Sequence, residues 1–205
     1  MIDIEEARRY YEGADAIHDF DHVLRVLALA ERLAREEGAD LEIVRAATLL
    51  HDVARGQGDR LSANHAHAGA EFAREVLAGQ PAEKVEAVAH AVAAHRFRSG
   101  PDPQTPEARV LHDADKLDAI GAIGVARAFA FGGYEGQRLW ADVPAGYAES
   151  QATRHEHTPV HEYQIKLSKI KGRLLTESAR RLAEGRHSFM VEFFEQLERE
   201  VRGLA

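Results

Sequence analysis

The chain has 205 residues, 45% of them apolar and 29% charged, a balance that excludes a disordered or low-complexity protein and supplies enough apolar surface for one substantial core. It contains no cysteine, which excludes a disulfide framework, a thiolate metal site and a cysteine nucleophile, and is compatible with the reducing cytoplasm expected here. With 26 basic and 34 acidic residues the net charge is −8, which argues against nucleic acid as a non-specific partner.

The first ten residues are charged and lack the apolar stretch of a signal peptide. Residues 21–37 place Val23, Val26, Leu27, Ala30 and Leu33 at helical spacing, with Gly38 as the stop. Asp40 suits the cap of a second helix that runs to about residue 53 and breaks into the glycine-containing stretch 55–58. A third helix is expected from residue 62 or 64 to 77, ending at Gly79, and Pro81 opens a fourth with Val85, Val88, Ala89, Val92 and Ala93 inward. After a loop at 99–103, Pro106 suits the first turn of a helix that carries Val110, Leu111 and Ala114. This run is expected to continue to residue 131, where Gly132 and Gly133 end it.

The longest uncharged run, 119–126, is far shorter than the roughly 20 residues of a membrane span. Residues 134–157 show no sustained period and read as an irregular insertion or lid. Two amphipathic helices follow, about 160–184 and 187–202. No stretch alternates convincingly as a strand. The expectation is an all-α fold: one domain over 1–205, with its core at 18–132 and a C-terminal helical part at 158–205.

Twelve histidines are unusual for this length, and one group of side chains carries a chemical argument. His22 lies early in the first long helix, one turn before the apolar Val26. His51 and Asp52 close the second helix, and Asp115 follows Ala114 further along. Any one of these alone would read as a packed or surface residue. Asp52, however, comes just after Ala46-Ala47-Thr48-Leu49-Leu50 and precedes Val53. A carboxylate inside so apolar a stretch is costly unless it is paired, and a helix C-terminus adds a dipole that disfavours negative charge. A divalent cation removes both objections. Imidazoles mixed with carboxylates suit Mn²⁺, Fe²⁺, Co²⁺, Ni²⁺ or Zn²⁺ better than Ca²⁺.

The order His22, His51-Asp52, Asp115 resembles the signature of the HD-domain superfamily of metal-dependent phosphohydrolases. The segment Asp113-Ala-Asp-Lys-Leu-Asp-Ala-Ile-Gly-Ala-Ile-Gly124 is similar to that of a subgroup of small bacterial HD hydrolases. Residues 89–97, 163–169 and 189–193 extend the likeness over most of the chain. The resemblance implies an all-α HD fold with a divalent transition metal, Mn²⁺ first and Co²⁺, Ni²⁺, Fe²⁺, Zn²⁺ or Mg²⁺ as alternatives, held by His22, His51, Asp52 and Asp115. It also implies hydrolysis of a nucleotide, with nucleoside triphosphates split to release pyrophosphate as the leading expectation. Asp52 would thus belong to the catalytic group.

Lys116, next to Asp115, is the first choice to stabilise the transferring phosphate, or else pairs with Asp113 or Asp118. Lys166 and Lys169, read as one helical face, and Arg55 and Arg96 are candidate substrate contacts. Many HD phosphatases carry an acid shortly after the His-Asp pair. Here positions 53–56 hold none, which leaves Asp59 and Asp118 as candidates for the general base. In two-metal HD proteins further histidines lie between the pair and the last aspartate. His65 or His67, with His90 or His95, could supply them. His95 is the best of these and is a candidate substrate contact, second-metal ligand or donor to one, whereas His65 and His67 read more readily as solvent-facing or helix-capping. A non-catalytic nucleotide-sensing module and a di-iron oxygenase are the competing functions.

Overall fold

The structure is a computed structural model that describes residues 1–11, 20–55, 65–96, 100–147 and 156–205. Among the described residues the regular elements are helices, so the fold is all-α. The chain divides into two compact units, Met1–Asp115 with Leu175–Ala179, and Lys116–Leu174 with Arg180–Ala205.

In the first unit, α1 (Ile4–Arg8) is capped by Asp3, whose carboxylate accepts from the Glu6 amide at 2.8 Å, and a 3-10 turn Arg9–Tyr11 follows. Helix α2 (Phe20–Glu37) buries Val23, Val26, Leu27, Ala30 and Leu33, the stripe its spacing predicts. Asp40 caps α3 (Leu41–Leu50), accepting from the Glu42 amide at 2.9 Å and the Ile43 amide at 3.4 Å. Helix α3 is apolar on nearly every side because it is central: α1, α2, α4 (His65–Val76) and α5 (Ala82–Ala94) all pack on it. Gly69 lets α4 come close to the end of α3. A Cβ at that position would lie 3.2 Å from Val92 Cγ1 and 3.5 Å from the His51 carbonyl.

Helix α6 (Pro106–Leu117) begins at Pro106, as expected. The buried Asp113 carboxylate accepts from His112 Nδ1–H (2.8 Å), the Leu175 amide (2.9 Å), the Thr176 amide (2.7 Å) and the Thr176 hydroxyl (2.8 Å). Those bonds fasten Leu175–Ala179 to α6 within the first unit.

The second unit holds α7 (Gly121–Tyr134), α8 (Pro159–Ile165), two 3-10 turns (Leu167–Lys169 and Lys171–Arg173) and most of α9 (Glu177–Val201). Its core is aromatic: Tyr163 stacks on Phe194 at 4.1 Å, and Phe129 meets Phe193 edge-on at 5.8 Å. Three expected boundaries differ. The helix expected from 105 to 131 breaks at residues 118–120, and Gly121 takes φ +78°, a left-handed conformation that a Cβ would penalise. Gly132 and Gly133 lie inside α7 rather than ending it. The helix expected over 160–184 is instead the short α8, two 3-10 turns and the extended Leu174, after which α9 runs unbroken through Gly185. Buried Leu167, Ile170 and Leu174 keep a three-and-four spacing that 3-10 turns also satisfy, so the pattern could not separate the two. Residues 135–147 carry no α-helix, in keeping with the irregular insertion expected over 134–157, of which residues 148–155 lie outside the described residues. No helix among the described residues is long and apolar enough to cross a membrane.

Candidate metal centre

Five elements of the first unit bring their functional side chains to one point. His22 comes from the first turn of α2, and His51 and Asp52 follow the last residue of α3. His65 opens α4, His95 ends α5, and Asp115 sits on α6. His22 Nε2 lies 3.7 Å from Asp52 Oδ2 and 3.5 Å from Asp115 Oδ1, while His51 Nε2 lies 3.7 Å from Asp52 Oδ2. On the other side of the same carboxylate, His65 Nε2 and His95 Nε2 lie 3.5 and 3.6 Å from Asp52 Oδ1. Asp52 is therefore shared by two buried trios, His22–His51–Asp52 and Asp52–His65–His95. In each, the potential ligand atoms lie within 4.8 Å of one another.

The surrounding hydrogen bonds prepare these atoms for a cation. His51 Nδ1–H donates to the Thr48 carbonyl at 2.7 Å, and His95 Nδ1–H to the Val92 carbonyl at 2.6 Å. Each bond places the proton on Nδ1 and leaves the Nε2 lone pair facing Asp52. Burial pushes the His51 pKa down to about 4, with Asp52 opposing and His95 adding to the shift. Burial alone would raise the Asp52 pKa, but His51, His95 and the Arg55 guanidinium outweigh it and hold the carboxyl well below its ordinary range. Neutral imidazole and ionised carboxylate are the forms that bind metal. His51 Nε2 and Asp52 Oδ1 are buried without a hydrogen-bond partner, an arrangement that is costly unless another positive group completes it. The donor set and these orphaned atoms fit a divalent transition-metal ion.

The expected ligands His22, His51, Asp52 and Asp115 are brought together as their order implies. Arg55 Nη1 donates to Asp52 Oδ2 at 2.9 Å and keeps part of its side chain at the surface. His95 joins the cluster, and Arg96 follows it, half-buried. His65 corrects the solvent-facing or capping reading: it is 5% exposed and faces Asp52. The available signal was the small face it leads, Ala66, Gly69, Ala70 and Ala73, all buried in α4. His67 is exposed beside Glu71, and His90 Nε2 accepts from the Gln104 amide at 3.2 Å.

Lys116 is half-buried in the last turn of α6. Asp113 takes the bonds already described, and Asp118 Oδ2 accepts from Arg127 at 2.8 Å. Lys166 pairs with Glu162, and Lys169 lies exposed on a 3-10 turn, so the two do not share one continuous helix face. Asp59 lies outside the described residues.

A profile of the HD domain matches residues 19–120, a span that contains every member of both trios. The chain is 37% identical over 194 residues to the Bacillus subtilis protein YpgQ, covering 91% of this chain and 86% of that one. The chain belongs to the HD-domain family. Among solved HD relatives, B. subtilis YpgQ in complex with ADP superposes with a TM-score of 0.74 at 32% identity, covering 99% of this chain and 100% of the other. An HD-superfamily hydrolase from Bacillus thuringiensis superposes with a TM-score of 0.73 at 29% identity, covering 97% and 94%. HD domains bind divalent metals, and this HD chain carries His/Asp clusters able to hold them.

Proposed function

We propose that this HD protein is a metal-dependent phosphohydrolase acting on nucleotides, cleaving nucleoside triphosphates with release of pyrophosphate. The observation that carries the reading is Asp52, an ionised, buried carboxylate ringed by imidazole Nε2 atoms and left with an orphaned oxygen. The nucleotide side of the reading is supported by the ADP complex of the YpgQ relative.

His22, His51, Asp52 and Asp115 would hold the ion, and Mn²⁺ suits this mix of imidazole and carboxylate. A divalent ion bound there supplies a water of lowered pKa and polarises a phosphoryl oxygen. The chain's own contribution is to keep His51 neutral by burial, with its tautomer fixed through the Thr48 carbonyl, and to hold Asp52 ionised beside its histidines and the charge of Arg55. Arg55, Arg96 and Lys116 are the cations proposed to meet substrate phosphates, where bidentate or point charges stabilise the negative charge that develops on transfer. Lys166 and Lys169 are kept as proposed substrate contacts. Asp59 and Asp118 are the proposed candidates for the base, and Asp118 also pairs with Arg127.

A second reading has its own observation. His65 and His95 on Asp52 Oδ1 offer a place for a second ion, which a two-ion phosphohydrolase or a di-iron oxygenase would use. One screen separates these readings. Purified protein is tested with Mn²⁺, Co²⁺, Ni²⁺, Mg²⁺ and Zn²⁺ against nucleoside mono- and triphosphates, with phosphate and pyrophosphate detected separately and Asp52→Ala as control. Pyrophosphate from triphosphates, absent in the control, supports the proposal, and phosphate from monophosphates alone makes the protein a nucleotidase. Tight nucleotide binding without turnover under every ion makes it a sensor. Iron at two per chain with oxygen consumption makes it an oxygenase.

A further inference from the structure

Asp52 is set in place by its backbone as well as by its charge partners, and one of the groups responsible lies outside the residues that mark the family. Helix α3 ends at Leu50, so the carbonyls of its last turn need partners from elsewhere. The Thr48 carbonyl, which a continuing helix would offer to the Asp52 amide, accepts His51 Nδ1–H instead. The Val53 amide, the helical partner of the Leu49 carbonyl, turns to the Leu50 carbonyl at 3.3 Å. Leu49 is thereby left with a free acceptor and Asp52 with a free donor.

The Tyr11 hydroxyl meets this turn. It donates to the Leu49 carbonyl at 3.1 Å and lies close enough to Asp52 for that residue's backbone amide and carboxylate both to act on its titration. Its ring is buried, 8% exposed, and lies 5.3 Å from the ring of Phe20. The matched HD span begins at residue 19, so Tyr11 reaches the His-Asp turn from a segment that precedes it.

We propose that Tyr11 is a positioning residue of the metal centre: its hydroxyl satisfies the Leu49 carbonyl that the end of α3 leaves open, and so holds the turn that carries the Asp52 carboxylate between the two histidine pairs. The inference rests on the metal-binding reading of that cluster. A ring without the hydroxyl would leave the buried Leu49 carbonyl unpaired at the turn that leads into Asp52. The turn would shift to recover that bond and carry the carboxylate with it.

The test uses the full chain with Mn²⁺ as the probe. Wild type, Tyr11→Phe and Phe20→Leu are compared by calorimetric titration, by the electron paramagnetic resonance spectrum of bound Mn²⁺, and by thermal unfolding. Phe20→Leu thins the packing around the Tyr11 ring but keeps the hydroxyl. The expected result is roughly tenfold weaker Mn²⁺ binding and an altered spectrum for Tyr11→Phe. Phe20→Leu should lose at least as much thermal stability yet bind within twofold of wild type. Tyr11→Phe binding within twofold of wild type, or Phe20→Leu weakening it equally, overturns the role of the hydroxyl while leaving the metal reading intact. Wild-type protein that takes up no divalent ion overturns the metal reading and the role of Tyr11 together.

Discussion

Asp52 and Asp113 are both carboxylates of the first unit with almost no exposure, 3% and 0%. Around Asp113 the neighbours donate: an imidazole, two backbone amides and a hydroxyl, all at 2.9 Å or less. Around Asp52 the arrangement is different. Arg55 alone is within hydrogen-bond distance among its ion-pair partners, and the ring nitrogens stand off at 3.5–3.7 Å. One buried charge is solvated completely by the protein, and the other is solvated as far as a cation would allow. The contrast separates a carboxylate that fastens the fold from one that binds, although burial and charge are the same for both.

The largest expected effects test that contrast directly. Asp52→Ala should lower turnover by about a thousandfold or more and abolish Mn²⁺ uptake, while changing the urea midpoint of the metal-free protein little. Asp113→Ala should do the opposite. It strands several buried donors and should cost about 3–5 kcal/mol of stability, read as a lower urea midpoint. A stable Asp113→Ala protein, or an Asp52→Ala protein that still binds Mn²⁺, would break the distinction. A smaller effect sharpens it on the other face of Asp52. His65→Ala should lower the metal count per chain from two to one if that trio takes an ion, with metal affinity or activity falling about tenfold. A count of one in wild type, unchanged in the variant, would leave Asp52 serving a single ion.

How much of this was legible in the sequence follows from the same physics. His22, His51, Asp52 and Asp115 could be read because their chain order and an aspartate after Leu49-Leu50 are themselves signals of cost that needs an answer. His65 could not be placed. Whether a histidine at a helix start faces inward depends on how near the next helix comes, and that is set by Gly69 against Val92 and the His51 carbonyl. Asp113 and Asp118 looked alike in the same short segment. Their donors, Leu175 and Thr176 for one and Arg127 for the other, come from residues that no local pattern ties to them. Lys166 and Lys169 read as one helix face because apolar spacing of three and four residues is common to α-helical and 3-10 geometry.

The smallest expected effect extends the contrast to a pair of histidines. His51 and His161 are both buried and both held below the ordinary imidazole pKa, but their Nδ1 atoms do opposite work. His51 Nδ1 donates to a carbonyl and frees Nε2 for a cation. His161 Nδ1 accepts from the Thr158 hydroxyl at 2.7 Å and the Thr158 amide at 3.3 Å, while the Thr158 oxygen accepts from the His161 amide, a reciprocal cap on α8. Burial is the main cause of the His161 shift, with His157 and Arg138 adding to it. The Tyr147 ring packs 4.0 Å away, and Glu162 is taken by Lys166 and His157. The unfolded chain therefore binds this proton more readily than the folded one. The cap is fully present above the unfolded value near 6.5, and is lost as pH falls through that value toward the lower folded one. Protonated Nδ1 cannot accept, so acid should cost α8 about 1 kcal/mol, the usual worth of a cap. Amide hydrogen exchange over Pro159–Ile165 should quicken between pH 7.5 and 5 beyond the intrinsic rate change, and in His161→Ala it should be fast at both. Protection that stays constant in the wild type would mean that Thr158 holds the helix end without the imidazole.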